Sequence, residues 1–179
     1  MSHPKRTHAP GGGDDGVDVE ELKKRIEEAL GGLVKGIEEG KGFIDVIVDL
    51  DNIVEAASRL KELGFDHVKS LTVIDYPKEN RFRVIYHASS YLDEELAKYI
   101  VGIGADVPRD NPRMPTLVYV WRGVEFQERE VYEFFGIEFT GHPDMRPLLL
   151  VPQLAEAKPL RKEFIVKEEP IIRVKPPTG

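Results

Sequence analysis

Acidic, basic and imidazole side chains converge in one stretch of this chain: Glu128-Arg129-Glu130, then His142, Asp144 and Arg146. Carboxylates beside an imidazole can bind a metal or move a proton, and Glu130, His142 and Asp144 are the groups that would do so here. Metal sites usually need three or four ligands, and one histidine beside two carboxylates falls short of the common sets. The chain has no cysteine, which excludes disulfides, thiolate nucleophiles, Cys-ligated zinc and thiolate-bound iron–sulfur clusters. What remains is ionic chemistry. On a helix, Glu128, Arg129 and Glu130 point in three successive directions, so they cannot all face solvent or all face the core. A partly buried Glu–Arg–Glu cluster is costly unless paired. It suits a fixed docking geometry, or a tie between the C-terminal segment and its own domain.

The elements that must position this stretch follow from periodicity. Val19, Leu22, Ile26 and Leu30 have helical spacing, with Asp18 as N-cap, Gly31-Gly32 as a break, and Leu33 and Ile37 as a second short turn. From Phe43 to Leu50, Ile44, Val46 and Val48 alternate with Asp45 and Asp49, the pattern of a half-buried strand. Asp51 or Asn52 can cap a helix whose stripe is Ile53, Ala56, Ala57, Leu60 and Leu63, ended by Gly64. Lys69–Tyr76 and Arg81–Ala88 form a hairpin through Pro77-Lys78-Glu79-Asn80. Phe82, Val84 and Tyr86 point one way on it, and Arg81, Arg83 and His87 the other. A fourth strand is expected near Tyr99–Ala105, a loop over Val107–Pro115, and either a strand or a short helix capped by Thr116 over Thr116–Trp121. Gly123–Phe135 is a helix stopped by Gly136. The order predicts an α+β ferredoxin-like plait with a mostly antiparallel sheet and helices on one side. Residues 1–16, with Pro4, the triple glycine at 11–13, His3 and His8, read as a flexible tail. Residues 17–136 form the α+β domain. Residues 137–179, interrupted by seven prolines, form an extended arm that needs a partner surface.

Composition narrows the function. Hydrophobic residues at 41% support a core. The 32 acidic and 25 basic residues leave a net charge of −7, which argues against a phosphate-neutralising surface and so against nucleic acid as a partner. No stretch approaches the roughly 18 apolar residues needed to cross a bilayer. No apolar segment follows Lys5 and Arg6, so a secretory signal is not expected and the chain is expected in the cytoplasm. Abundant Lys, Arg and Glu with few Asn, Gln and Met point to a thermophilic source.

The run Glu128-Arg129-Glu130-Val131-Tyr132-Glu133-Phe134-Phe135-Gly136-Ile137-Glu138-Phe139-Thr140-Gly141-His142-Pro143-Asp144-Met145-Arg146 resembles the signature of the 30 kDa-type subunit family of respiratory complex I and of related membrane-bound [NiFe]-hydrogenase or sulfane-sulfur reductase complexes. That signature reads E-R-E-x-[YW]-D-x-F-G-I-x-F-x-G-H-P-D-x-R-R. The flanks agree: Arg81–Tyr86, Pro115-Thr116-Leu117, and Pro159–Lys162. Glu133 stands where the family usually has Asp, Pro147 where it has a second arginine, and Phe126 where it has tryptophan. The resemblance covers roughly residues 43–164.

The resemblance implies a protein without a redox centre, on the cytoplasmic side of the cell membrane and attached to it through its complex. It would dock beside a large catalytic subunit, with iron–sulfur subunits nearby, a nickel–iron site in the hydrogenase members, and the membrane arm reached indirectly. The residues it implies at the partner interface are Glu128, Arg129, Glu130, Tyr132, Phe135, Gly136, His142, Pro143, Asp144, Arg146, Arg161 and Lys162. Short length, the missing second arginine and the thermophilic composition favour an archaeal hydrogenase or sulfur-reducing relative over a bacterial NADH/quinone oxidoreductase. A ferredoxin-linked membrane-bound hydrogenase is the preferred reading, with a sulfane-sulfur reductase close behind, since the ligands that distinguish them sit on the large subunit. A stand-alone assembly factor with the same fold and an RNA-binding module are the remaining alternatives; the second is the one with a structural requirement. It would need Tyr76, Phe82 and Tyr86 exposed on a basic sheet face.

Overall fold

The computed structural model describes residues 18–40 and 43–165. The tail expected over 1–16, with His3 and His8, and the last part of the expected arm lie outside the described residues.

Amphipathic spacing sets the helices. Helix α1 (Val19–Leu30) turns Leu22, Ile26 and Leu30 inward and ends at Gly31, whose φ of 54° falls in the region where a side chain is strained. Helix α2 (Ile53–Glu62) buries Ile53, Ala56, Ala57 and Leu60. Asp18 and Asn52 occupy the N-cap positions as expected, but neither side chain makes a capping bond.

The strands are β1 (Val34–Gly40), β2 (Phe43–Val48), β3 (His67–Tyr76), β4 (Arg81–Ser89) and β5 (Ile100–Pro108), in the order β1-β2-β5-β4-β3. Three of the four pairings are antiparallel; β2 and β5 run parallel. One face carries Ile44, Val46 and Val48 beside Val101, Ile103 and Ala105, and these meet Phe82, Val84 and Tyr86. The buried sides of α1, α2 and the helix after β5 join this face in one core.

The architecture is therefore α+β, with a mixed five-stranded sheet. A ferredoxin-like plait places a helix before its last strand. Here the link between β4 and β5 holds only the short 3-10 turn Leu96–Lys98. Residues 34–40, expected in part as a helical turn, form strand β1, because pairing with β2 outweighs the helix-like spacing of Leu33 and Ile37. Strand β2 is buried on both faces: Asp45 is only 8% exposed and Ile47 only 7%. The loop expected over 107–115 ends in a short strand, β6 (Arg113–Pro115). Thr116–Trp121 is a single turn, with the Thr116 hydroxyl accepting from the Val118 N–H.

Helix α3 (Glu125–Phe135) enters through the 3-10 turn Arg122–Val124 and stops at Gly136, whose φ is 77°. Among the described residues, the segment after Gly136 is not wholly irregular. Strand β7 (Glu138–Thr140) pairs parallel with β6, and a six-residue helix, α4 (Pro152–Ala157), follows. Ile137, Phe139 and Ala155 are buried against the domain. Three-residue strands carry too little pattern to be legible, and this one is held by its partner strand.

Candidate functional site

Helix α3 is built around acids that point inward. The Glu128 carboxylate has no exposed surface and collects three donors: the Tyr86 hydroxyl at 2.9 Å, the Leu117 N–H at 2.8 Å and the Thr116 hydroxyl at 2.5 Å. One carboxylate thus ties α3 to β4 and to the turn after β6. Burial pushes the Glu128 carboxyl above its ordinary range, against the pull of these donors. The Tyr86 hydroxyl is pushed up as well, by its own burial and by the neighbouring carboxylate.

One turn on, Glu133 is buried too and accepts the N–H groups of Leu149 at 2.9 Å and Leu150 at 2.6 Å. Its burial raises the carboxyl, but backbone donors and Lys158 outweigh that and leave it below the usual range. Between them Arg129, also buried, donates to the carbonyls of Arg146 at 2.9 Å and Pro147 at 3.3 Å. Successive side chains of α3 therefore clamp residues 146–150, and bonds to backbone atoms hold that segment whatever its side chains are.

His142 lies in the same clamp with its ring fully buried. Its Nδ1 accepts the Asp144 N–H at 3.0 Å, which places the ring proton on Nε2, 3.1 Å from the Glu125 carbonyl. Both nitrogens are engaged by backbone, and Glu128 is 4.0 Å away. Asp144 pairs with Arg146 at 2.8 Å, and that bond draws its carboxyl down to about 2. Among the described residues, no group of three or more His, Cys, Asp or Glu is placed to hold a metal. Glu130 is exposed to solvent.

The C-terminal end of α3 receives cations. Lys158 donates to the Tyr132 carbonyl, Arg161 to the Phe135 carbonyl at 2.7 Å, and the Leu160 N–H to the Phe134 carbonyl. These are carbonyls that a helix end leaves without internal donors, and positive charge is favoured there. Lys162 is held by its N–H, 3.0 Å from Asp75, which also pairs with Arg109 at 2.8 Å. Arg109 and Arg161 both lie over the buried Phe82 ring, with Phe135 edge-on to it.

The twelve residues expected at an interface therefore divide. Glu128 and Arg129 are buried within the chain. Tyr132, Phe135, Gly136, His142, Asp144 and Arg161 are partly covered, while Glu130, Pro143, Arg146 and Lys162 are exposed. Glu133, Asp75, Arg109 and Lys158 belong to the same construction. Glu133 stood in the signature run, whereas Asp75 and Arg109 gave no local signal because their partners are distant in sequence. In and around the clamp, large apolar side chains face solvent: Tyr119, Phe126, Leu149, Val151, Leu160 and Ile165 are each more than half exposed. Tyr119 and Pro143 line a cleft of about 260 Å³ with Val118, Arg122 and Glu125. The sheet aromatics do not form an RNA platform, since Phe82 and Tyr86 lie in the core beneath the helices.

Residues 46–170 match the family described as respiratory-chain NADH dehydrogenase, 30 Kd subunit. The chain is 33% identical over 159 residues to NADH-quinone oxidoreductase subunit 5 of Thermus thermophilus, covering 84% of this chain and 75% of that one. It is 35% identical over 147 residues to a subunit of the F(420)H(2) dehydrogenase of Methanosarcina mazei, covering 82% and 89%. Its fold matches a chain of the membrane-bound sulfane sulfur reductase, an archaeal respiratory membrane complex, with a TM-score of 0.72 and 28% identity over 82% and 85% of the two chains.

Proposed function

Since the chain belongs to the 30 kDa subunit family of respiratory-chain NADH dehydrogenase, we propose that it is a cofactor-free structural subunit of a complex-I-like membrane-bound oxidoreductase. It docks in the cytoplasmic peripheral arm beside the large catalytic subunit, and iron–sulfur subunits are its further neighbours. It performs no redox step itself. Its contribution is geometric, holding a partner-facing segment at a fixed place on a rigid domain.

The observation that carries this reading is the clamp. Glu128, Arg129 and Glu133 are engaged inside the chain, and two of them grip the backbone of residues 146–150. The gripped segment shows Leu149, and Val151 just beyond it, to solvent. Exposed apolar side chains on a firmly tethered segment are what a docking surface requires. The exposed members of the signature, Glu130, Pro143, Arg146 and Lys162, supply its polar rim. Residues 148–165 act as an arm in this sense, pinned along the domain and open on the outer side. No helix among the described residues is long and apolar enough to cross a membrane; in this reading the chain is attached to the membrane through its complex.

The absence of cysteine removes the usual ligands of an iron–sulfur cluster from this chain. Elemental analysis and an optical spectrum of the purified full chain test the scaffold assignment. Neither iron, nickel nor a visible chromophore is expected, and a stoichiometric metal or flavin would overturn it. Within the class, the ferredoxin-linked hydrogenase reading rests on composition and on the missing second arginine. The relatives described above come from quinone, F(420)H(2) and sulfane-sulfur complexes. Nickel in the purified complex is the result expected of a hydrogenase, and its absence from an intact complex would turn the assignment to one of those relatives.

A further inference from the structure

The loop that leaves β4 displays its largest side chains to water. Residues 90–95 follow the last residue of β4, and Leu96, 2% exposed, returns the chain to the core. Between these fixed points Tyr91 is 79% exposed and Leu92 90% exposed.

The loop is nonetheless braced from below. The Asp66 carboxylate, in the link between α2 and β3, accepts the Tyr91 N–H at 3.0 Å and the Leu92 N–H at 3.1 Å. The Ser90 hydroxyl accepts the Asp93 N–H at 3.0 Å. The Asp93 Oδ1 accepts the N–H groups of Glu95 at 2.9 Å and Leu96 at 3.1 Å, and its backbone carbonyl accepts that of Ala97. The Tyr91 ring lies flat on the His67 imidazole, with centroids 3.3 Å apart and planes 8° apart. The imidazole is fixed in turn, its Nδ1 lying 3.0 Å from Asp66. A slack loop would fold Tyr91 and Leu92 against the domain to hide them. Here the bracing turns both outward. An apolar anchor already held in place loses little conformational entropy when it is buried by a partner.

Charge indicates what the anchor meets. Asp93, Glu94 and Glu95 follow the tip directly, and the base in this stretch, Lys98, pairs with Glu95 at 2.9 Å. The tip is therefore apolar with an acidic shoulder. Such a shoulder is repelled by an anionic lipid surface and attracted by lysine and arginine. The same link also reaches the cleft beside α3. Trp121 donates from its indole to the Phe65 carbonyl at 2.9 Å, and the turn that ends at Trp121 presents Tyr119 to that cleft. Phe65, Asp66 and His67 are consecutive, so one short stretch of chain braces the tip and fastens the Tyr119 turn.

We propose that Tyr91 and Leu92 form a docking knob that seats in an apolar recess, rimmed by lysine or arginine, on another subunit of the complex. The two side chains supply the buried centre of the contact, and Asp93 and Glu94 its charged edge. The inference rests on the scaffold reading of the chain. It adds a contact made by residues outside the signature run.

Photo-crosslinking tests it directly. The full chain, with p-benzoylphenylalanine in place of Leu92, is assembled into the complex and irradiated, and the products are read by mass spectrometry. The expected product joins position 92 to one site on a different protein subunit. No such product from a complex that contains the probe chain would overturn the proposal, as would a crosslink only to lipid or to this chain. Competition between variant and wild-type full chains adds a second reading. Leu92→Ser should be under-represented in the complex on the order of fivefold or more, as for the loss of an interface anchor. Glu94→Lys should be under-represented as well, with a deficit that shrinks as salt is raised. Both positions are exposed, so the isolated variants should melt with wild type, which separates lost docking from misfolding. Equal incorporation of Leu92→Ser would overturn the knob, and equal incorporation of Glu94→Lys would overturn the basic rim; either leaves the scaffold reading intact. A wild-type chain that enters no complex would overturn both.

Discussion

The Tyr86 hydroxyl donates to the Glu128 carboxylate at 2.9 Å inside the core, joining the middle of the sheet to the helix that organises the C-terminal segment. The bond converts a signature acid into an internal fastener, and its removal has a graded cost. Tyr86→Phe leaves Glu128 its other two donors and should cost about 1 kcal/mol. Glu128→Ala strands three buried donors and should cost about 3–5 kcal/mol. In a chain of this size each kcal/mol lowers the melting temperature by about 2–4 °C. Thermal unfolding of both variants checks the order; equal, small losses would show that the network carries little.

The clamp at Arg129 should affect assembly more than folding. Arg129→Ala frees the carbonyls of Arg146 and Pro147 and is expected to cost the isolated chain about 1–3 kcal/mol. Incorporation into the complex should fall further than that loss explains, because the segment beyond the turn is no longer held for docking. Parallel measurement of melting temperature and of competitive incorporation decides the matter, and wild-type incorporation would count against the role.

Acid should loosen the C-terminal segment before the sheet. Burial raises the carboxyls of Glu133 and Asp75, but donors outweigh it and leave both below their ordinary values: backbone N–H groups and Lys158 at Glu133, Arg109 and the Lys162 N–H at Asp75. A lowered folded-state pKa gives stability that is present above the unfolded value, about 4, and is lost as pH falls through the folded one. Hydrogen exchange should show protection of the Leu149, Leu150 and Lys162 amides falling below about pH 4 while β4 and β5 amides remain protected. Simultaneous loss at all these amides would contradict it.

Gly136 should not tolerate a side chain. At φ 77° a Cβ would stand 3.0 Å from the Lys158 side chain and 3.1 Å from that of Arg161. Gly136→Ala is expected to destabilise by about 1–2 kcal/mol from the backbone alone. It should also raise hydrogen exchange at the Leu160 amide, which binds the Phe134 carbonyl. An unchanged melting temperature would show that the turn relaxes freely.

Elements with one clear period were legible in the sequence. The stripe of α2, the alternation of β4 and the Phe134-Phe135-Gly136 stop of α3 each match the structure, because local pattern and tertiary burial agree there. Strand β1 was not legible: Gly36 and Gly40 dilute its alternation, while Leu33 and Ile37 imitate a helix face. Asp45 reads as the solvent side of a strand, yet neighbours on β4 and β5 cover it. The signature singled out Glu128, Arg129 and His142, but pattern alone could not tell an interface residue from an internal tie. That difference depends on Tyr86, Thr116 and the 146–150 backbone, all remote along the chain or without side-chain identity.

Affinity purification of the tagged full chain from native membranes, followed by mass spectrometry of its companions, is the most direct test of the central claim. Stoichiometric recovery with a larger catalytic subunit, iron–sulfur subunits and membrane subunits is the predicted result. Recovery of the chain alone, as a monomer free of other subunits, would contradict the scaffold assignment.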